Sequence, residues 1–111
     1  MEKLQGTVAV LLPAAFYCLN EKQRPPIAAL RQHNIPMAVA TDLNPGTAPL
    51  ASLLTAMNQA CILFGLTPAE ALKGATLHGA KALGLKDVGG IQAGMAADLA
   101  LWGIQHPAQV A

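Results

Sequence analysis

The hydrophobic positions place two unbroken apolar runs in the first forty residues, separated by a polar stretch. Residues 7–12 and 35–40 lack polar alternation, which is typical of short strands buried on both faces of a parallel sheet. Between them, Pro26 to His33 predicts a helix with proline in its first turn, and Asn34 is a suitable C-terminal stop. The order strand, helix, strand predicts a right-handed βαβ unit.

The middle of the chain has apolar positions at helical spacing. A first helix is predicted up to Gly65, and Thr67–Glu70 has the pattern of a capping box that starts a second one. The second helical stretch continues to Leu83, with a break expected near Gly74. The apolar face of the first helix consists of Leu50, Leu53, Leu54, Met57, Cys61 and Phe64.

The last part of the chain has a residue pattern of turns and a strand, unlike the helical pattern before it. Gly89 to Gly94 is rich in turn-forming residues, and Asp98 to Trp102 has the pattern of a strand. Short antiparallel pairing fits this part better than a further strand-helix unit. Two strands with their helices cannot close a barrel or a sheet, so we expect the fold to be incomplete as written.

The composition is unusual for a domain of this size. Charged residues make up 12% of the 111 residues and hydrophobic residues 53%, whereas charged residues average about 25% in globular domains. A small domain has much surface for its volume and needs polar side chains to cover it. We therefore expect other protein to cover part of this surface, in a homo-oligomer or by association with a missing N-terminal portion.

The charge, the apolar runs and the cysteines indicate which partners and which cellular compartment to expect. The net charge is +1 with scattered basic residues, which predicts no nucleic-acid partner and no polybasic membrane surface. No apolar run reaches the ~20 residues of a membrane span, and the first residues lack the apolar core of a signal peptide. Cys18 and Cys61 lie in apolar contexts, as expected of reduced core residues in a cytoplasmic protein.

The most informative polar residues follow the second apolar run. In α/β folds, ligand-binding groups gather at the carboxyl ends of strands, and Asp42 stands at such an end. Its carboxylate would suit a divalent metal and would accept a proton from metal-bound water. Taken alone, the same residues also fit an ordinary turn, because turns select Asp, Asn, Pro and Gly.

Three further residues of this segment have candidate roles. Asn44 has a side-chain NH2 suited to a substrate carboxylate or amide, and Gly46 would let backbone groups approach a ligand. The Thr47 hydroxyl has two possible roles, contact with a substrate or capping of the next helix, and capping is the default expectation.

The three histidines do not form a metal centre by their spacing. His33 stands at a predicted helix end, His78 lies among small apolar residues, and His106 lies in a proline-flanked tail. There is no His-x-His or His-Glu-x-x-His motif. The sequence therefore contains a candidate for one metal ligand but not for a complete set.

Three segments of the chain are informative when read together: residues 8–17 (VAVLLPAAFY), 36–47 (PMAVATDLNPGT) and 67–72 (TPAEAL). They resemble the imidazolonepropionase family of the amidohydrolase superfamily. Residues 90–102 (GIQAGMAADLALW) are similar to the segment with which many amidohydrolases return to a small β-sandwich. The likeness covers nearly the whole chain but only the last quarter to third of the family's length.

The resemblance implies the C-terminal fragment of a (β/α)8 TIM-barrel metallohydrolase. Residues 1–85 would form the last βα units of the barrel, and residues 86–111 would return to the composite β-sandwich. It also implies hydrolysis of 4-imidazolone-5-propanoate to N-formimidoyl-L-glutamate with one zinc or iron ion. Matched by position, Asp42 corresponds to the metal-binding aspartate and proton acceptor, Asn44 and Gly46 to product contacts, and Thr47 to a substrate contact.

The chain departs from the family pattern at a few points. The family's His-x-His pair and its further metal histidine lie upstream of this segment, so the isolated chain is expected to be inactive. Ala14 stands in place of an expected glycine, and Met95 in place of a basic residue. Two other functions stay open: a related amidohydrolase such as a heterocycle deaminase, and a non-catalytic α/β module that self-associates through apolar faces.

Overall fold

The two apolar runs form a pair of parallel strands. In the computed structural model, which describes residues 6–111, β1 (Ala9–Leu11) pairs with β2 (Met37–Val39), and Val10 lies opposite Ala38. The predicted order and parallel pairing are confirmed. Each strand is shorter than its apolar run, because only the residues that meet across this one pair form ladder hydrogen bonds.

Two short helices fill the connection between the strands. α1 (Pro13–Cys18) has proline in its first turn and occupies a segment for which the apolar pattern predicts no single element. α2 (Ile27–Gln32) confirms the predicted helix. Asn34 follows it with φ +53°, a left-handed conformation that asparagine tolerates better than most residues, so the predicted helix stop is also confirmed.

The longest helix, α3 (Leu53–Phe64), comes after the Asp42 loop. The Ser52 hydroxyl caps its start by accepting a hydrogen bond from the Thr55 N–H at 3.2 Å. Gly65 ends it with φ +73°, a conformation that costs glycine little.

The predicted second helical stretch divides into α4 (Pro68–Ala75) and α5 (Leu77–Ala82). Its capping box is confirmed: the Thr67 hydroxyl accepts from the Glu70 N–H at 3.2 Å, and the Glu70 carboxylate accepts from the Thr67 N–H at 2.8 Å. The break falls at Thr76, two residues later than predicted.

The helix backbone of α4 lies directly against β2. A Cβ added at Gly74 would come within 2.8 Å of Val39 Cγ2 and 3.0 Å of the Met37 carbonyl oxygen. Such distances are shorter than van der Waals contact, so only glycine allows this approach. Gly74 therefore fixes how closely α4 packs on the strand that leads to the Asp42 loop.

The core lies between the strands and helices α2, α3 and α4. On α3, Met57 and Phe64 are buried as predicted, whereas Leu53 and Leu54 are 39% and 41% exposed. Phe64 meets Phe16 of α1 edge to face, with ring centroids 5.1 Å apart. The buried residues that pack together are Leu11, Ile27, Leu30, Met37, Val39, Ala56, Met57, Ala60, Phe64, Leu66 and Ala71.

The strand predicted in the tail is not formed. Residues 98–102 have no regular secondary structure, and Leu101 is 98% exposed. A strand needs a neighbour to bond its backbone groups, and none of the described residues supplies one here. The antiparallel pairing expected for the tail is therefore wrong for the chain as described; the tail's one helical element is a 3-10 helix, Pro107–Val110.

Helices and a short parallel sheet together agree with the predicted α/β class. The (β/α)8 barrel and the β-sandwich stay predictions, as does the division at residues 85 and 86. Among residues 6–111, no helix has both the length and the apolar character needed to cross a membrane.

Candidate functional site

The candidate site is the loop that follows β2. Asp42 lies three residues after the end of the strand, is exposed, and has φ +52°. The structure thus places its carboxylate at the carboxyl end of a parallel strand, where the sequence predicted it. A left-handed backbone at a non-glycine residue costs free energy and persists only when neighbouring groups hold it.

Asn44 organises this loop through its side-chain amide. Its Nδ2 group donates to the Asp42 carbonyl oxygen at 2.7 Å and lies 3.0 Å from Thr47 Oγ1. Its Oδ1 atom accepts from the backbone N–H groups of Gly46 at 2.9 Å and Thr47 at 2.8 Å. The side chain that the sequence assigned to a substrate is therefore engaged within the loop itself.

The far end of the loop is anchored by the backbone. The Asn44 N–H donates to the Ala48 carbonyl at 3.1 Å in an isolated antiparallel bridge, and Ala48 is fully buried. Thr47 directs its hydroxyl to Asn44 and not to a helix start. The capping role expected for Thr47 is wrong, because α3 begins later and Ser52 caps it.

Gly46 lies exposed at the tip of this loop. A Cβ added there would lie 3.4 Å from Asn44 Oδ1, an ordinary contact distance. Its backbone does not need the conformations that only glycine adopts easily, since its φ is not positive. Gly46 is exposed, and its approach to a ligand stays a prediction.

The Asp42 carboxylate is free of protein partners within residues 6–111. No hydrogen bond or ion pair there engages it, and no group of three His, Cys, Asp or Glu side chains is close enough to hold a metal. Protein-bound zinc needs three or four protein ligands. The described residues therefore fit one ligand of a metal ion and do not fit a complete metal site.

The three histidines lie in or at the ends of different helices. His33 is exposed at the end of α2. The His106 ring accepts a hydrogen bond from the Ala108 N–H at 3.1 Å and caps the 3-10 helix. His78 is half-buried, and its Nδ1 lies 3.1 Å from the Met37 carbonyl oxygen.

His78 forms a hydrogen bond with a backbone carbonyl on the edge of β2 that does not face β1. The opposite edge of β2 faces β1, since the Ala9 N–H of β1 donates to the Pro36 carbonyl at 2.9 Å. Successive residues of a parallel strand form their backbone hydrogen bonds on opposite sides of the strand. The Met37 carbonyl therefore points away from β1, and the imidazole Nδ1–H serves as its donor. Sequence reasoning expected a packing residue here, without identifying this partner.

The ion pair between Arg31 and Glu70 was not predicted. Arg31 of α2 holds the Glu70 carboxylate with two hydrogen bonds of 2.7 Å and also donates to the Gly65 carbonyl at 2.8 Å. The Arg31 guanidinium, together with the Thr67 N–H and hydroxyl, lowers the pKa of Glu70 to about 2. The two partners are 39 residues apart, so no local pattern could reveal the pair.

An apolar groove of about 670 Å³ lies beside the strand end. One wall contains Val10 and Ala38 of the strands, and the other contains Gly79 of α5 and Leu83 just beyond it. Thr41 also lines the groove, so this space reaches the residue before Asp42. Sequence patterns did not predict the groove, because its lining residues lie far apart along the chain.

Comparison with known proteins assigns the chain to a family. A sequence profile of the amidohydrolase family matches residues 4–111. The chain belongs to the amidohydrolase family. As in the sequence reading, the match extends through both the strand-helix part and the tail.

Three curated relatives of this amidohydrolase chain are named imidazolonepropionase. It is 65% identical to an imidazolonepropionase of Cereibacter sphaeroides over 95% of its length, which covers 27% of that protein. It is 64% identical to the imidazolonepropionase of Alteromonas mediterranea over 94% of the chain and 25% of the relative. It is also 64% identical to the imidazolonepropionase of Ralstonia nicotianae, over 96% of the chain and 26% of the relative. The chain thus spans about a quarter of the length of the curated relatives it matches.

Proposed function

We propose that this chain is part of an imidazolonepropionase. The enzyme would hydrolyse the cyclic amide C–N bond of 4-imidazolone-5-propanoate and release N-formimidoyl-L-glutamate. The observation that carries the proposal is the exposed Asp42 carboxylate, free of protein partners at the end of β2. Its neighbourhood belongs to a chain 64–65% identical to proteins of that name.

Asp42 has two roles in the proposal. It would be one ligand of a single zinc or iron ion, whose other ligands lie outside this chain. When bound, such an ion lowers the pKa of a coordinated water and makes it a nucleophile near neutral pH. Asp42 would accept the proton that this water loses, since its carboxylate is otherwise unengaged.

The reaction balances with water as the only co-substrate. The water oxygen bonds to the ring carbonyl carbon, the C–N bond of the cyclic amide breaks, and the leaving nitrogen receives the proton. Asp42 would carry that proton between the two atoms. An acid-base group in this position contributes about 10²–10⁴-fold to a rate.

The loop beyond Asp42 would form one wall of the substrate site. Asn44 and Gly46 would face the formimidoyl-glutamate product, and Thr47 the imidazolone ring. The closed hydrogen-bonded shape of the loop supports this, because it presents these residues together on one short segment.

The proposal also concerns the fold of the complete enzyme around this loop. Residues 1–85 would supply the last strand-helix units of a (β/α)8 barrel, and residues 86–111 would return to a β-sandwich. Apolar side chains in both parts support contact with further protein: Leu83 is 77% exposed and Ile91 88% exposed. That protein would be the remaining three quarters of the enzyme, with homo-oligomerisation as a further possibility. Cys18 is exposed and Cys61 half-buried, so the core position expected of Cys18 is wrong. Both are free thiols, which fits a cytoplasmic setting.

A heterocycle deaminase would use similar chemistry at the same strand end. The shared name of the relatives favours imidazolonepropionase over it. The family assignment likewise favours an enzyme over a non-catalytic packing module.

A chimera tests the proposed function. The matching quarter of the Cereibacter sphaeroides relative, which is 65% identical, would be replaced by this chain. We expect the chimera, purified with zinc or iron, to hydrolyse 4-imidazolone-5-propanoate, and the 111-residue chain alone to be inactive. The unaltered relative is the positive control. A folded, metal-loaded chimera without hydrolysis would contradict the proposal.

A further inference from the structure

A second and more polar cavity lies at the amino end of β2. Its volume is about 330 Å³, and its walls come from α2, the turn after α2, the start of β2, and helices α4 and α5. Asp42 follows the carboxyl end of the same strand and does not line this cavity. The cavity is therefore separate from the loop of the proposed function.

One part of the cavity wall is apolar. Leu30 of α2 and Met37 of β2 are buried, and Ile35 and Pro36 are half-buried before the strand. Their side chains offer no group for hydrogen bonding. This part of the wall therefore suits the hydrocarbon part of a ligand.

Another part of the wall carries an unbalanced positive charge. The Glu70 carboxylate accepts two hydrogen bonds of 2.7 Å from Arg31, so these two charges offset each other. Lys73 lies one helical turn after Glu70 and is exposed. Within residues 6–111, its ammonium group forms no hydrogen bond or ion pair. One positive charge at the cavity is therefore left for an anion.

Further donors at the cavity are unused. Arg31 bonds through Nε and Nη2, and its Nη1 group has no hydrogen-bond partner in the described part of the chain. The side-chain amide of Asn34, which also lines the cavity, has none there either. Ammonium and guanidinium groups form short, charge-assisted hydrogen bonds with carboxylates. The polar wall thus suits a carboxylate group.

We propose that this cavity binds a small monocarboxylate with a short hydrocarbon chain. The carboxylate bonds to the Lys73 ammonium, with Arg31 Nη1 and the Asn34 amide as further donors. The hydrocarbon chain lies against Leu30 and Met37. A volume of about 330 Å³ is at the lower end for ligand cavities, which favours a small ligand. The inference does not depend on the proposed reaction, since it involves neither Asp42 nor a metal ion.

Nuclear magnetic resonance of the isotope-labelled chain tests the site with butyrate at constant ionic strength. We expect saturable shifts of the backbone amide signals of Asn34, Ile35 and Lys73. The dissociation constant should be about 1–10 mM, because a ligand of few atoms gains limited affinity. Inorganic phosphate lacks the hydrocarbon chain and butanol lacks the charge, so each should bind at least about tenfold more weakly.

A lysine variant shows whether the charge at this position is responsible. Lys73→Met keeps an unbranched side chain of similar length but removes the ammonium group. It should weaken butyrate binding by about tenfold or more. Lys81→Met, the same change at an exposed position of α5, should leave the binding unchanged. The remaining amide signals of both variants should match those of the parent chain, since both positions are exposed.

Four outcomes would overturn the proposal. The first is the absence of saturable shifts at these residues, and the second is equal butyrate affinity of Lys73→Met and the parent chain. Butanol binding as tightly as butyrate would show an apolar surface without a role for the charge. Phosphate binding as tightly as butyrate would show a site for inorganic anions and not for a carboxylate with a hydrocarbon chain.

Discussion

The strand-helix part of this chain and its tail are both apolar, yet the first forms the core, whereas most large apolar side chains of the tail stay exposed. In residues 9–84 the apolar side chains of β1, β2 and α2 to α4 meet in one core. In residues 86–111, Ile91, Leu99 and Leu101 are 88%, 61% and 98% exposed. The difference shows that apolar sequence produces a core only where another element can cover it. The helices supply that cover near β2, whereas in the tail Val110 and Ala111 pack against the core and most of the large apolar side chains stay exposed.

The largest expected effect concerns Asp42, at the end of the packed part. Asp42→Asn in the chimera keeps the size of the side chain but removes the charge and the proton acceptor. We expect hydrolysis to fall by about 10²–10⁴-fold, measured as kcat/KM with the metal content determined in parallel. Asp87→Asn, at an exposed tail residue, is the matched control. Equal losses in the two variants would remove the distinction between the regions.

Core packing gives the next largest effect. Met57 is 2% exposed on α3, whereas Leu101 is 98% exposed in the tail. Met57→Ala should lower the free energy of unfolding of the chain by about 2–5 kcal/mol. Leu101→Ala should change it by less than about 0.5 kcal/mol. Urea denaturation followed by circular dichroism measures both, and a loss at Leu101 as large as at Met57 would show that the tail is packed.

Glycine substitutions compare the two regions through the backbone. Gly74→Ala forces a Cβ to within 2.8 Å of Val39 Cγ2, while a Cβ at Gly103 meets nothing within 4 Å. We expect Gly74→Ala to destabilise the chain by about 1–3 kcal/mol and Gly103→Ala to have little effect. Thermal unfolding of the two variants makes the comparison. An unchanged melting temperature for Gly74→Ala would contradict the close packing of α4 on β2.

The smallest effect is the pH dependence of the Arg31–Glu70 pair. The pKa of Glu70 is lowered from 4.5 to about 2 in the folded chain. The pair therefore contributes its full stability above the unfolded pKa, and this contribution is lost as the pH falls from about 4.5 to about 2. The contribution is small, because both side chains are partly exposed to water.

Urea midpoints between pH 2 and 6 test the ion pair. Glu70→Gln should weaken the fall in midpoint at low pH, because glutamine does not titrate. Glu21→Gln, at an exposed residue of the α1–α2 connection, controls for the loss of one carboxylate. Identical pH profiles for Glu70→Gln and the parent chain would show that the pair does not contribute to stability.

Local patterns predicted most elements of the packed part. The apolar runs identified β1 and β2, and Gly65 and the Thr67–Glu70 box marked helix boundaries correctly. These signals depend on residues within about four positions of one another. The strand predicted in the tail was wrong, because a strand needs a neighbouring strand to bond its backbone groups. A local sequence pattern does not show whether such a neighbour is present.

The candidate site was predicted only in part. Its position after β2 followed from the apolar run before Asp42, and the four residues do lie on one loop. The engagement of Asn44 within that loop and the capping of α3 by Ser52 were missed. Several nearby polar groups compete for the same N–H groups, and the sequence does not rank them.

The sequence by itself determined the order of β1, α2, β2 and the later helices, and that one carboxylate stands at the end of a buried strand. Only the tertiary structure decided which distant groups meet. Arg31 bonds Glu70 across 39 residues, and His78 bonds the Met37 carbonyl across 41. Helix and strand signals act over a few residues, because they reflect backbone conformation and local hydrogen bonds. Contacts between distant residues depend on the path of the whole chain, which packing fixes.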